Sequence, residues 1–303
     1  MQILVTGGAG YVGSVLTPQL LAEGYRVRVL DNFLFGQTSL LHCCSNPNLE
    51  IIRGDVRNEE TLKRALVGVD FIIHLAAIVG ATLCDRDPWA AYETNVDAVN
   101  SLLLLRDRDQ GIIFPCTNSG YGIGEAGVYC TEETPLRPVS LYGKLKVQAE
   151  AKILNNGKAV SLRLATVFGA SPRMRLDLLV NDFVLRAMRD GYIVLYQADF
   201  KRNYIHIEDV ASAFLHCIKH WNKMKNQIYN VGLSEANLSK WELCQEIKKQ
   251  IPDFYFVEAE VGEDPDKRNY IVSNAKLEAT GWGPAYSLQD GIAELIKAYQ
   301  VLG

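Results

Sequence analysis

No stretch of the 303-residue sequence approaches the roughly 20 consecutive apolar residues that a membrane-spanning helix requires. Basic excess is missing too. Lys and Arg number 31 against 35 Asp and Glu, and the net charge of -4 gives neither nucleic acid nor an anionic membrane a reason to bind. The seven cysteines, at positions 43, 44, 84, 116, 130, 217 and 244, are odd in number and form no CxxC pair. They signal neither a metal site nor a disulfide framework, and reduced thiols in the cytoplasm are the expectation. The opening MQILVTGGAG lacks the basic, apolar and cleavage segments of a signal peptide. What remains is an ordinary globular balance, 48% hydrophobic and 22% charged, long enough for a large core.

The first half alternates short apolar runs with helical patterns. Strands are expected at Ile3–Val5, Arg26–Leu30, Glu50–Arg53, Asp70–Leu75, Gly111–Pro115 and Ala159–Leu164. Helices are expected at Ser14–Glu23, Ala90–Leu105 and Leu141–Asn155. That rhythm implies βαβ units, an α/β fold built on a parallel sheet with helices on both faces. After Gly169 the pattern loosens: Leu178–Met188 reads as a helix, and Tyr204–Ile207 with Asp209–Lys219 as a strand and helix returning to the first domain. Ile228–Val231 reads as a strand, with helices at Ser239–Gln250 and Leu288–Val301. The expected organisation is a cofactor domain over 1–168, rejoined by 203–231, and a smaller lobe over 169–202 and 232–303.

Between the first strand and first helix lies Thr6-Gly7-Gly8-Ala9-Gly10-Tyr11-Val12-Gly13. Glycines at 7, 10 and 13 allow a tight turn and close approach to a pyrophosphate, and the helix amino terminus supplies N–H donors. Asp31, with Asn32 beside it, ends the second strand 18 residues beyond Gly13. A carboxylate there accepts from an adenosine ribose and repels a 2′-phosphate, so NAD is expected rather than NADP.

The GxxGxxG spacing resembles the short-chain dehydrogenase/reductase superfamily, a Rossmann doubly wound fold. Three further segments carry the resemblance: Gly54-Asp55-Val56 at the adenine, His74-Leu75-Ala76-Ala77 along the cofactor, and Tyr142-Gly143-Lys144-Leu145-Lys146 as YxxxK. The resemblance implies that Gly7, Gly10, Tyr11, Val12, Gly13, Asp31, Asn32, Asp55, Val56, Leu75, Ala76, Ala77, Tyr142 and Lys146 hold NAD.

Tyr142 and Lys146 are four apart on one expected helix and share a face. A tyrosine of pKa near 10 is a poor base at neutral pH, and a neighbouring ammonium stabilises its phenolate. In the extended branch of the superfamily the catalytic hydroxyl lies four residues before the tyrosine of a YG pair, which is Thr117 here; Ser119 competes for the role. Sugar-nucleotide 4,6-dehydratases of that branch carry Asp-Glu after the threonine. This chain has Asn118-Ser119, and an amide and a hydroxyl cannot serve as acid and base for eliminating water.

On the substrate side, Arg163-Leu164-Ala165-Thr166-Val167-Phe168-Gly169 resembles the branch's RLxNVYG, with Thr166 where asparagine is common. Arg202 lies in RNYIHIED, similar to RDYIHVxD, and the resemblance assigns it to the nucleotide diphosphate. Arg173, Arg175, Asn181 and Arg268 are further candidates for the nucleotide and phosphates, or else solvated surface groups. His206 reads as structural, and Cys84 as a buried small apolar residue. TNSGYGIGE (117–125), RLATVFGASPRMRLDLLVNDF (163–183) and EDPDKRNYIVSN (263–274) are most similar to bacterial GDP-heptose 4-dehydrogenases, described as holding their cofactor tightly. The resemblance implies a catalytic trio of Thr117, Tyr142 and Lys146, a nucleotide-diphosphate sugar as substrate, and a homodimer. A UDP-sugar 4-epimerase and a non-catalytic NAD sensor or scaffold are the rival expectations.

Overall fold

The structure, a computed structural model, describes residues 1–262 and 268–302. The first five residues of 263–274 therefore lie outside the described residues. Seven strands form one parallel sheet: β1 (Gln2–Thr6), β2 (Arg26–Asp31), β3 (Leu49–Arg53), β4 (Phe71–His74), β5 (Gly111–Thr117), β6 (Ala159–Leu164) and β7 (Gln227–Val231). Their order is 3-2-1-4-5-6-7, a doubly wound Rossmann arrangement. The chain reverses direction across the sheet between β1 and β4, which opens a crevice at their carboxyl ends.

Alternation along each strand divides the core into two layers. Ile3 and Val5 turn to one face, where Leu16 and Leu20 of the first helix (Gly13–Ala22) and Val210 and Phe214 of Ile207–Lys219 pack. Leu4 turns to the other, against Leu62, Leu102, Ala149 and Ile153. Every residue of β1, β4, β5 and β6 is buried. Strands covered on both faces read as continuous apolar runs, which is why their positions are plain in the sequence.

Two expectations change. Ala90–Leu105 is not one helix: it begins at Pro88, widens into a π turn over Glu93–Asp97, and resumes as Ala98–Leu105. Pro88 suits the first helical position, and Asp87 caps it by accepting from Ala90 N at 3.0 Å. The strand around Tyr204 spans Lys201–His206 and joins a separate three-stranded sheet with Thr166–Phe168 and Asn237–Ser239. Only the helix after it and β7 rejoin the Rossmann layers. Among the described residues, no helix is long and apolar enough to cross a membrane.

Candidate active site

The glycine loop sits where the crevice opens. Gly7 has φ +70°, and a Cβ there would lie 2.7 Å from Ala76 N; one on Gly13 would lie 2.5 Å from Gly7 O. Only glycine permits the turn, the contact with the strand end after β4, and the close seating of the first helix. Gly10 N donates to Gly7 O at 3.0 Å. The buried carboxylate of Asp31 steadies the same loop, accepting from Ala9 N at 3.0 Å and from Phe33 N at 2.8 Å. A small loop at a helix amino terminus with a carboxylate at the neighbouring strand end fits a dinucleotide.

The other cofactor candidates line this crevice or brace it. Leu75, Ala76 and Ala77 are half-buried beyond β4, and Ala76 N donates to Thr6 Oγ1 at 3.3 Å. His74, 2.9 Å from Thr6 Oγ1, is held down to about 3 by burial, with the Lys146 charge adding to it, so its ring is neutral. Asp55 is bound by Arg57 through contacts of 2.9 and 3.0 Å, which lower its pKa; Asn32 is exposed beside it. Val56 is core, packed with Leu30 and Leu62. Val12 forms the amino-terminal end of the first helix. Tyr11 also braces the loop. Its hydroxyl donates to Gly169 O at 2.8 Å and accepts from Asn181 Nδ2 at 3.2 Å, so it ties the loop to the chain crossing into the lobe.

Ser140 starts the helix Leu141–Asn156 by accepting from Gly143 N at 3.1 Å, which puts Tyr142 in its first turn. Lys146 is buried one turn further, with Nζ 3.9 Å from the centroid of Phe114. Burial pushes this lysine down to about 8, against the opposing pull of Cys116 and Glu150. Tyr142 is half-buried, packed beside Cys84, Ala91, Val96 and Leu145. Burial raises its phenol, the Cys116 and Cys84 thiols add to the rise, and the charges of Arg268 and Arg175 oppose it.

β5 ends at Thr117, and the chain turns tightly over Asn118–Tyr121. Thr117 Oγ1 accepts from Ser119 N at 3.1 Å and donates to Ser119 Oγ at 2.9 Å. Arg268 donates to the same Ser119 Oγ. Both amide atoms of Asn118 are buried without a hydrogen-bond partner among the described residues. A buried amide left so costs about 1–3 kcal/mol per group, so water or a ligand belongs beside it.

The supporting shell was not foreseen. Arg163 Nη2 meets Glu150 Oε2 at 2.8 Å, and its Nη1 donates to Tyr121 Oη at 3.1 Å. Tyr121 in turn donates to Asn230 Oδ1 at 2.7 Å. This network joins the Tyr142 helix to β6 and to the hydroxyl turn. Asn95, inside the π turn, accepts from Ile78 N at 2.8 Å and donates to Ile78 O at 2.9 Å, which fixes the segment after β4. An inserted residue within a helix often marks a functional site, but its signature in a periodic pattern is slight.

The substrate candidates divide. Arg175 grips Asp177 bidentately, both contacts 2.6 Å, with Nη2 turned toward Gly80 and its charge reaching Tyr142. Arg268 donates to Ser119 in the hydroxyl turn. Arg173 stacks on Phe35, 4.0 Å from the ring centroid, and its charge feels Asp31, which puts it on the cofactor side. Arg202 is buried, donates to Lys201 O at 2.9 Å and lies 5.8 Å over Tyr270. Thr166 is half-buried opposite Tyr204. Asn181, fully buried, accepts from Gly169 N and donates to Tyr11 Oη and Arg175 O, so it braces the crossing chain. His206 bonds Glu294 at 2.8 Å and stacks on Tyr286, and Cys84 is buried.

The sequence model of the NAD dependent epimerase/dehydratase family matches residues 3–232. The chain belongs to that family. It is an NAD-dependent enzyme of the extended short-chain dehydrogenase/reductase type. Among its relatives, UDP-glucuronic acid decarboxylase 1 of Arabidopsis thaliana is 30% identical over 316 residues, covering 99% of this chain and 70% of the relative. UDP-glucose 4-epimerase of Lactobacillus helveticus is 27% identical over 322 residues, covering 96% and 94%. The solved structure of Thermus thermophilus UDP-glucose 4-epimerase with NAD covers 99% of both chains at 27% identity, with a TM-score of 0.85.

Proposed function

We propose that this family member oxidises the C4 hydroxyl of a nucleotide-linked sugar, with a GDP-linked heptose as the best candidate and a 4-keto sugar as the product. The carrying observation is the set of side chains at the end of β5: Thr117, Asn118 and Ser119, with Tyr142 and the buried Lys146 opposite on one helix. A phenolate at Tyr142, stabilised by nearby cations, can take one proton from a sugar hydroxyl while the neighbouring hydroxyls hold its oxygen. Without the acid–base carboxylates that the dehydratase pattern carries at 118 and 119, these groups are not suited to eliminating water.

Gly7, Gly10 and Gly13, with Asp31 at the ribose, would hold NAD, which would supply the hydride acceptor. A hydroxyl of the Thr117–Ser119 pair holds the sugar oxygen, and Tyr142 removes its proton. Arg268 and Arg175 lower the cost of the phenolate, and Lys146, one turn along the same helix, is the family's expected partner for it. Burial of Tyr142 otherwise disfavours that anion, so the flanking cations are a requirement of the chemistry. The resemblance of 117–125 and 163–183 to GDP-heptose 4-dehydrogenases favours the heptose. A second reading, UDP-sugar 4-epimerase, draws on the Lactobacillus helveticus relative, matched along 94% of its length.

The test is to denature purified protein and identify released nicotinamide, then to offer GDP- and UDP-sugars to the intact enzyme. A 4-keto product with reduced cofactor supports the dehydrogenase. An epimer without net reduction moves the reading to epimerase, and full activity in Tyr142→Phe removes the catalytic assignment.

A further inference from the structure

Counting the hydrogen bonds at the hydroxyl pair separates the two residues. Thr117 Oγ1 receives the Ser119 N–H and gives its own proton to Ser119 Oγ. Ser119 Oγ thus accepts from Thr117, and it also accepts from Arg268, which can only donate. With both acceptor positions of Ser119 used, its one remaining capacity is its own O–H. Thr117, its proton already directed at Ser119, retains only acceptor capacity.

Arg268 is held in this position by backbone. The next residue, Asn269, donates from N to Gly122 O at 3.2 Å and accepts from Gly124 N at 2.8 Å. Ile271–Val272 then pairs in parallel with Tyr129–Cys130. Gly122 itself has φ +68°, and a Cβ there would collide with Arg137 O at 2.0 Å. The turn carrying Ser119 and the segment running from Arg268 into the strand Ile271–Val272 are therefore one stitched unit.

We propose that Ser119, polarised by Arg268, is the group that donates a hydrogen bond to the sugar oxygen at the reacting carbon, whose own proton goes to Tyr142, while Thr117 holds Ser119 in place. This rests on the C4-oxidation reading. A donor backed by a cation binds a carbonyl oxygen more strongly than an alcohol oxygen, because charge grows on that oxygen. Ser119 is then a catalytic residue, and Arg268 a positioning residue that acts through it. The pair favours the 4-keto state.

The experiment compares Ser119→Ala, Arg268→Gln and Arg268→Lys under saturating nucleotide sugar, with nicotinamide content measured for each. Ser119→Ala should lower kcat by roughly 100-fold with KM little changed. Arg268→Gln should lower kcat by about tenfold, and Arg268→Lys, which restores one charged donor, should recover most of that loss. Nicotinamide content should match wild type in all three. Wild-type kcat in Ser119→Ala, or an Arg268→Lys no better than Arg268→Gln, overturns the proposal. If the arginine variants do not fold, the Ser119→Ala result decides alone. A wild-type chain inert toward every nucleotide sugar overturns the parent reading and takes this proposal with it, an outcome distinct from an active wild type whose variants are unaffected.

Discussion

Arg163 of β6 and Glu150 of the Tyr142 helix face each other with each side chain only 4% exposed, joined by guanidinium contacts of 2.8 and 3.2 Å. Removing one member strands the other charge in the core. Glu150→Ala should destabilise by about 3–5 kcal/mol. Urea unfolding is the check. A loss under about 1 kcal/mol would mean that Arg163 finds other support, its bonds to Tyr121 Oη and Glu132 O being the available ones.

Lys146 supports chemistry at the expense of stability. Its folded-state pKa of about 8 lies below the unfolded value of about 10.4. Between those values the unfolded chain holds the extra proton, so this group makes the cofactor-free protein more stable as pH rises through the window. Lys146→Met should therefore raise the urea midpoint at pH 7, with the gain shrinking by pH 10, while turnover is lost. A constant gain at both pH values would mean that the lysine's charge is not what destabilises.

His74 acts on the acid side. Its folded-state pKa of about 3 lies below the unfolded value of about 6.5, because burial excludes the imidazolium. Its contribution is fully present above pH 6.5 and is lost as the medium is acidified toward pH 3. His74→Asn should flatten the decline of stability between pH 6 and pH 4, tracked by urea midpoints. An unchanged slope would assign acid unfolding to the carboxylates instead.

Much of this was readable from sequence because the relevant signals are local. The strand Ala159–Leu164 has the predicted ends, since a run buried on both faces has no other place in a sheet. Gly7 and Gly13 were readable because only one residue type tolerates their surroundings. The π turn over Glu93–Asp97 was not, because one extra residue per turn barely disturbs helical spacing. Nor could a local pattern say which sheet Lys201–His206 would join. The contact between Arg268 and Ser119 spans 149 positions, beyond any periodicity. The bracing role of Asn181 was hidden for a related reason. A polar residue normally faces water, and here Gly169, Tyr11 and Arg175 enclose it.

The bond from Tyr11 to Gly169 makes one wall serve two guests. Ser171 strengthens it, its hydroxyl donating to Tyr11 O at 2.8 Å. The segment after Gly169 is thus fastened to the glycine loop through Tyr11, so the two are expected to order together. The expected consequence is an order of loading, with the nucleotide sugar binding weakly to protein stripped of NAD and more tightly once it is restored. Calorimetry on the two forms would measure this. In Tyr11→Phe, which removes the hydroxyl link, the difference should narrow; a difference as large as wild type would mean that the two sites fill independently of this joint.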